Sequence, residues 1–199
     1  MNSTTDINGA VISYLEQFKQ TPVPEGDQEV ILACFDHHSY KEDDYLFREG
    51  KVCSTLFFIY TGIVRIVSTN DKGVDRTHYF YKENQFCTIL KSFREGVAAE
   101  ASIQAASGVV EVLTISRQRL DALYTRIPYM KDVMSMLFQQ QLVEKVETRN
   151  AYLGVDAETQ YRLFLERQSD IALRVSMKDI ASYLGITPQS LSRIRRNIQ

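Results

Sequence analysis

The hydrophobic period changes twice along these 199 residues, and that switch restricts the fold more than any other feature of the chain. Val11, Ile12, Leu15 and Phe18, then Val30, Ile31 and Phe35, recur at helical spacing on either side of the breaker Pro22-Val23-Pro24-Glu25-Gly26. Two short helices are expected there. From Tyr40 to about Ser116 the apolar residues fall instead into short β-branched and aromatic runs: Tyr45 to Phe47, Leu56 to Tyr60, Ile63 to Val67, Arg76 to Tyr81, Ser102 to Ala105 and Val109 to Ile115. Glu49-Gly50, Thr61-Gly62 and Asn70-Asp71-Lys72-Gly73 supply turns, because Gly, Asn and Asp tolerate positive φ. Such spacing predicts a small antiparallel barrel or sandwich. The helical period returns after Arg117, and Pro128 opens an amphipathic stretch to about Leu153. Its apolar face holds Met130, Val133, Met134, Leu137, Phe138, Leu142 and Val146, with Gln139-Gln140-Gln141 and Glu144-Lys145 beside it. This stripe is expected to form a homodimer seam, packing within the chain being the alternative.

Ser176 to Arg196 carries two helix starts separated by a glycine turn. Ser176 with Asp179 reads as a capping box, and Thr187 before Pro188 as an N-cap with proline in the first turn. Gly185 can take the left-handed conformation that ends the first helix. Helices from Met177 to Leu184 and from Pro188 to about Asn197 are therefore expected, joined by three residues. Aliphatic Ile180, Leu184, Ile186, Leu191 and Ile194, with small Ala181 at the crossing, give the steric pattern of a helix-turn-helix.

Charge points the same way. The net charge is −2, yet Arg174, Lys178, Arg193, Arg195 and Arg196 against Asp179 alone make the segment from Arg174 onward +4 and leave the remainder at −6. A basic tip on an acidic body suits a polyanion. Gln189, Ser190 and Arg193 are the candidate base readers, and Thr187, Ser192, Arg195 and Arg196 the candidate phosphate contacts.

Other chemistries find little support. Cys34, Cys53 and Cys87 are too widely spaced for a thiolate cluster and read as structural thiols. Three histidines, His37, His38 and His78, do not make a metalloenzyme set, and neither a glycine-rich phosphate loop nor a nucleophile elbow occurs. No catalytic residue, metal or cofactor is expected. Without a run of about 18 apolar residues or a secretion signal, a cytoplasmic protein is expected.

Two stretches resemble the Crp/Fnr superfamily of transcription regulators, the cyclic-AMP receptor protein type, in a short form: Leu46-Phe47-Arg48-Glu49-Gly50 with Leu56-Phe57-Phe58-Ile59-Tyr60-Thr61-Gly62-Ile63-Val64-Arg65, and Ile186-Thr187-Pro188-Gln189-Ser190-Leu191-Ser192-Arg193-Ile194-Arg195. The resemblance covers about residues 10 to 199. It implies an α+β chain: an N-terminal antiparallel β-roll of the cyclic-nucleotide-binding type with N-terminal helices over 1–126, a dimerisation helix over 127–153 and a helix-turn-helix domain over 154–199. It also implies duplex DNA as partner, a homodimer and contact with RNA polymerase. Two departures qualify it. Cyclic-nucleotide binders of the family carry Gly-Glu and Arg-Ser or Arg-Thr pairs where this chain has Thr88-Ile89 and Ala99-Glu100, so a cyclic phosphate would lose its guanidinium partner and meet a carboxylate. No counterpart of the family's β-hairpin wing is expected after Asn197. The expectation is a DNA-binding regulator that does not respond to cyclic AMP; the alternative is a cyclic-nucleotide-binding-like sensor or interaction protein without DNA binding. The roll interior is expected to be filled by Ile89, Leu90 and Phe93, or else to admit an unknown small-molecule effector near Arg65, Arg76, Thr88 and Arg94.

Overall fold

The computed structural model describes residues 3–198. Helices α1 (Ser3–Lys19) and α2 (Glu25–Leu32) lead into strands β1 (Asp36–Lys41), β2 (Tyr45–Phe47), β3 (Thr55–Thr61), β4 (Val64–Thr69), β5 (Asp75–Tyr81) and β6 (Gln85–Cys87). Helix α3 (Leu90–Glu95) interrupts them before β7 (Ser102–Ala105) and β8 (Val109–Ser116). The chain ends in α4 (Arg117–Arg126), α5 (Tyr129–Ala151), α6 (Ala157–Arg167), α7 (Ser169–Ala172), α8 (Met177–Leu184) and α9 (Pro188–Ile198). It is an α+β protein built on a β-roll: sheet β1-β8-β3-β6 faces sheet β2-β7-β4-β5, and the pairings are antiparallel.

Strand β1 and the short β6 lie outside the expected strands. Asp-His-His-Ser-Tyr-Lys has no apolar alternation because β1 is an exposed edge strand, held by its ladder to β8 rather than by a buried face. The turns behave as their residues require. Gly62 sits at φ +94, and a Cβ there would lie 2.5 Å from the Val109 carbonyl oxygen, so only glycine fits. Asn70 Oδ1 accepts from the backbone N–H of Lys72 and Val74, both at 3.0 Å, which closes the β4–β5 turn around Gly73.

The long helix corrects the expected seam. Met130, Val133, Met134 and Leu137 are buried within the chain, against Ile7, Val11 and Leu15 of α1 and Leu56, Phe58 and Phe86 of the roll. Leu142 and Val146 point away from that core and are exposed. Helix α1 offers α5 an apolar partner inside the same molecule, and a stripe buried there is no longer available to a second copy.

Candidate functional site

At the C-terminus the local chemistry builds two helices at a fixed turn. Ser176 Oγ accepts from the Asp179 N–H at 3.1 Å to start α8, and Gly185 ends it at φ 70. The capping box is only half formed, because the Asp179 carboxylate is turned to a partner outside the helix. Thr187 Oγ1 accepts from the Ser190 N–H at 3.1 Å and so caps α9. Ala181 and Leu191 are fully buried where the helices cross, and Ile180 and Leu184 complete the contact. Gln189, Ser192, Arg193 and Arg196, spaced i, i+3, i+4 and i+7, share the exposed face of α9 opposite Leu191. Arg195 is exposed on its flank; Ser190 is half-buried, with its hydroxyl on Thr187 Oγ1 at 3.0 Å. Lys178, Arg193, Arg195 and Arg196 form no ion pair among the described residues, whereas Arg174 is paired to Glu83.

The body of the helix-turn-helix is seated on the roll, through residues that sequence patterning did not single out for this role. Arg65 on β4 points out of the roll and is only 2% exposed. Its Nε and Nη2 donate to Gln104 Oε1 at 2.9 and 2.7 Å, Nη1 to Thr77 Oγ1 at 3.1 Å and Nη2 to Asp75 Oδ2 at 3.1 Å. Nη1 also pairs with Asp179 Oδ1 of α8 at 2.6 Å. One guanidinium thus joins two carboxylates, one on each side of the interface. Ser182 adds a reciprocal clasp, accepting from the Thr77 N–H at 2.8 Å and donating to the Asp75 carbonyl at 2.9 Å. Phe80 of β5 packs against Tyr183 in a tilted ring contact, and Tyr183 also meets Phe164 and Tyr152.

Two partly exposed pairs rim this interface, Arg174 with Glu83 and Lys82 with Asp170. Burial alone would raise both carboxyls, but hydrogen bonds from Arg174 and from Lys82 hold them below their ordinary values. Carboxyls lowered in the folded state stabilise it above their unfolded values, about 4.3 for Glu and 3.9 for Asp, and that contribution is lost as pH falls through the lower folded values. Cleavage by a low concentration of protease at the connection over residues 152–156 is therefore expected to accelerate on acidification below about pH 4. In Glu83→Gln/Asp170→Asn that acid-dependent increment should shrink; an unchanged increment would remove these pairs from the docking contact.

On its other face the same sheet lines a cavity of about 430 Å³, closed on one side by α5. A bulge places His78 opposite no partner on β4 and turns it into the cavity, with Nε2 2.7 Å from Ser68 Oγ. Thr88, Ile89 and Leu90 line it, whereas Phe93 is packed in the core with α1 and α5, so the interior is not filled as expected. Arg65, Arg76 and Arg94 are not among its lining residues. Thr88 Oγ1 donates to the Thr55 carbonyl at 2.9 Å, and Ala99 is buried with its N–H on the Lys51 carbonyl at 2.9 Å. Glu100 reaches the cavity from an exposed position, and Lys145 of α5, which the sequence placed beside the seam, forms part of its wall.

Residues 37–126 match the cyclic nucleotide-binding domain family. The chain is 21% identical over 170 residues to the transcriptional activator protein anr of Pseudomonas aeruginosa, covering 80% of this chain and 68% of that one. It is equally similar, over the same shares, to the transcriptional activator protein FnrA of Stutzerimonas stutzeri. This chain carries a cyclic nucleotide-binding domain. The fold agrees: the c-di-GMP-responsive regulator CLP of Xanthomonas campestris superposes with TM-score 0.72 at 19% identity, over 88% of this chain and 92% of that one. FixK2 of Bradyrhizobium japonicum gives 0.68 at 19% identity, over 82% and 84%. Transcription regulation is the activity of the curated relatives of this chain. Among its described residues, no cluster of three or more His, Cys, Asp or Glu could hold a metal ion, and no helix is long and apolar enough to cross a membrane.

Proposed function

We propose that this chain is a Crp/Fnr-type, cytoplasmic, sequence-specific regulator that binds duplex DNA with α9 in the major groove and does not respond to cyclic AMP. The observation that carries the reading is the exposed face of α9, where Gln189, Arg193 and Arg196 stand free of any ion pair among the described residues. A glutamine suits adenine and an arginine guanine in the major groove, while a guanidinium further along the helix reaches phosphate. Docking on the roll uses the opposite side of the helix pair, through Asp179 and Ser182, and leaves that face open. Ala99 and Glu100 support the second half of the proposal, since no guanidinium for a cyclic phosphate lines the cavity among the described residues.

The test is selection of sites from random duplex DNA, followed by affinity measurement at several salt concentrations. A pseudo-palindrome with half-sites one helical turn apart is the expected product. Arg193→Ala should cost about 1 to 3 kcal/mol on the selected site and relax one position of it. Arg196→Ala should weaken all sequences alike and reduce the salt slope by about 1. Failure to retain DNA at low salt would favour instead a sensor or interaction protein.

A further inference from the structure

We propose that the cavity between the β-roll and α5 binds a small amphipathic organic monoanion, anchored by the Lys145 ammonium. Its volume, about 430 Å³, is that of a small-molecule site, and Ile66, Phe86, Ile89, Leu90 and Phe138 give it an apolar wall. Lys145 Nζ donates to the Tyr81 hydroxyl at 2.6 Å and lies 4.7 and 4.8 Å from the ring centres of Tyr79 and Tyr81. No carboxylate pairs with it among the described residues. A cation drawn out of water onto two aromatic faces and a phenol is only partly compensated, and an anionic ligand would complete its shell. Its pKa is lowered, burial being the main cause, as expected for an ammonium lacking a counter-charge.

The remaining polar groups restrict the ligand further. Thr88 is engaged with the Thr55 carbonyl, and His78 with Ser68, so neither forms the dense donor array that a phosphate needs. Glu100 brings a negative charge to the cavity. The register pairs Val64 with Tyr81 and Val67 with Ser102, which sets the Tyr81 and Ser102 rows of the sheet about 10 Å apart at ~3.3 Å per residue, with Glu100 two residues beyond Ser102. A ligand with one anionic end at Lys145 and an apolar remainder matches this layout, whereas a second terminal anion would face Glu100.

Calorimetric titration of the full chain with decanoate, decanol and decanedioate, three probes differing chiefly in charge, tests the assignment without using DNA. Decanoate is expected to bind saturably, one per chain and below its micellar concentration, and more tightly than either of the others. Lys145→Met should weaken decanoate about tenfold or more, equal to about 1.4 kcal/mol, and leave decanol unchanged. Glu100→Gln should narrow the gap between decanoate and decanedioate. Ile89→Trp, which fills the cavity, should remove decanoate and decanol binding, with a cooperative melt confirming the fold. The proposal is overturned if decanoate binds Lys145→Met as tightly as wild type, if Ile89→Trp retains it, or if no saturable binding occurs.

Discussion

Asp179→Ala is expected to lower the free energy of unfolding by about 3 kcal/mol, because it leaves the Arg65 guanidinium buried with one carboxylate instead of two. Removing one member of a buried ion pair generally costs about 3 to 5 kcal/mol, and the surviving Asp75 contact at 3.1 Å places this case at the lower end. The origin is desolvation rather than loss of attraction: Arg65 keeps its full burial cost while losing its shortest contact, 2.6 Å to Asp179. Replacing Arg65 as well, in Arg65→Met with Asp179→Leu, should recover only part of the loss, since the two apolar side chains carry no charge but Gln104 Oε1 and the Asp75 carboxylate then lose the donor they shared. Urea unfolding of the wild type and the two variants, followed by far-ultraviolet circular dichroism, measures this directly. A loss below about 1 kcal/mol for Asp179→Ala, the scale of a surface pair, would mean that the network does not hold α8 on the roll.

Val143→Glu combined with Val146→Glu should reduce affinity for the selected palindrome by a factor of about 10² to 10⁴ while leaving half-site affinity unchanged. Met136, Gln139, Val143, Val146, Asn150 and Leu153 are exposed at alternating steps of three and four residues, a heptad stripe along α5 and just past its end. Val143 and Val146 are 50% and 49% exposed, so charge there costs the folded monomer little. We propose this stripe as the homodimer seam, with Asn150 as the polar position that fixes register. Two helix-turn-helix units held in one molecule bind a palindrome with the second contact effectively intramolecular, and separating the copies removes that gain. Light scattering should report a dimer for wild type and a monomer for the variant. A dimeric variant, or a monomeric one that keeps full operator affinity, would remove the stripe from that role.

Short-range chemistry was readable from residue order. Period, caps and turn residues act within a few positions of one another, so the bounds of α8, the Gly185 stop, the proline-led start of α9 and the roll's main strands were legible from residue order. Strand β1 was not, because an exposed edge owes its conformation to hydrogen bonds with β8 and carries no apolar signature. Which partner each apolar or charged side chain meets depends instead on long-range packing. The face of α5 bearing Met130, Val133, Met134 and Leu137 would suit a second copy or its own chain, and only the placement of α1 against it settles the matter. Asp179 reads locally as a capping residue and Lys145 as a flank of the seam. One is turned to Arg65, far away in sequence, and the other to Tyr81 at the cavity wall. Alternation along β4 puts Arg65 outward beneath α8 and Ile66 inward on the cavity, but the periodicity is silent about what lies on either side. Long-range pairings of this kind follow from which surfaces exclude water together, a property of the packed molecule rather than of any window of its chain.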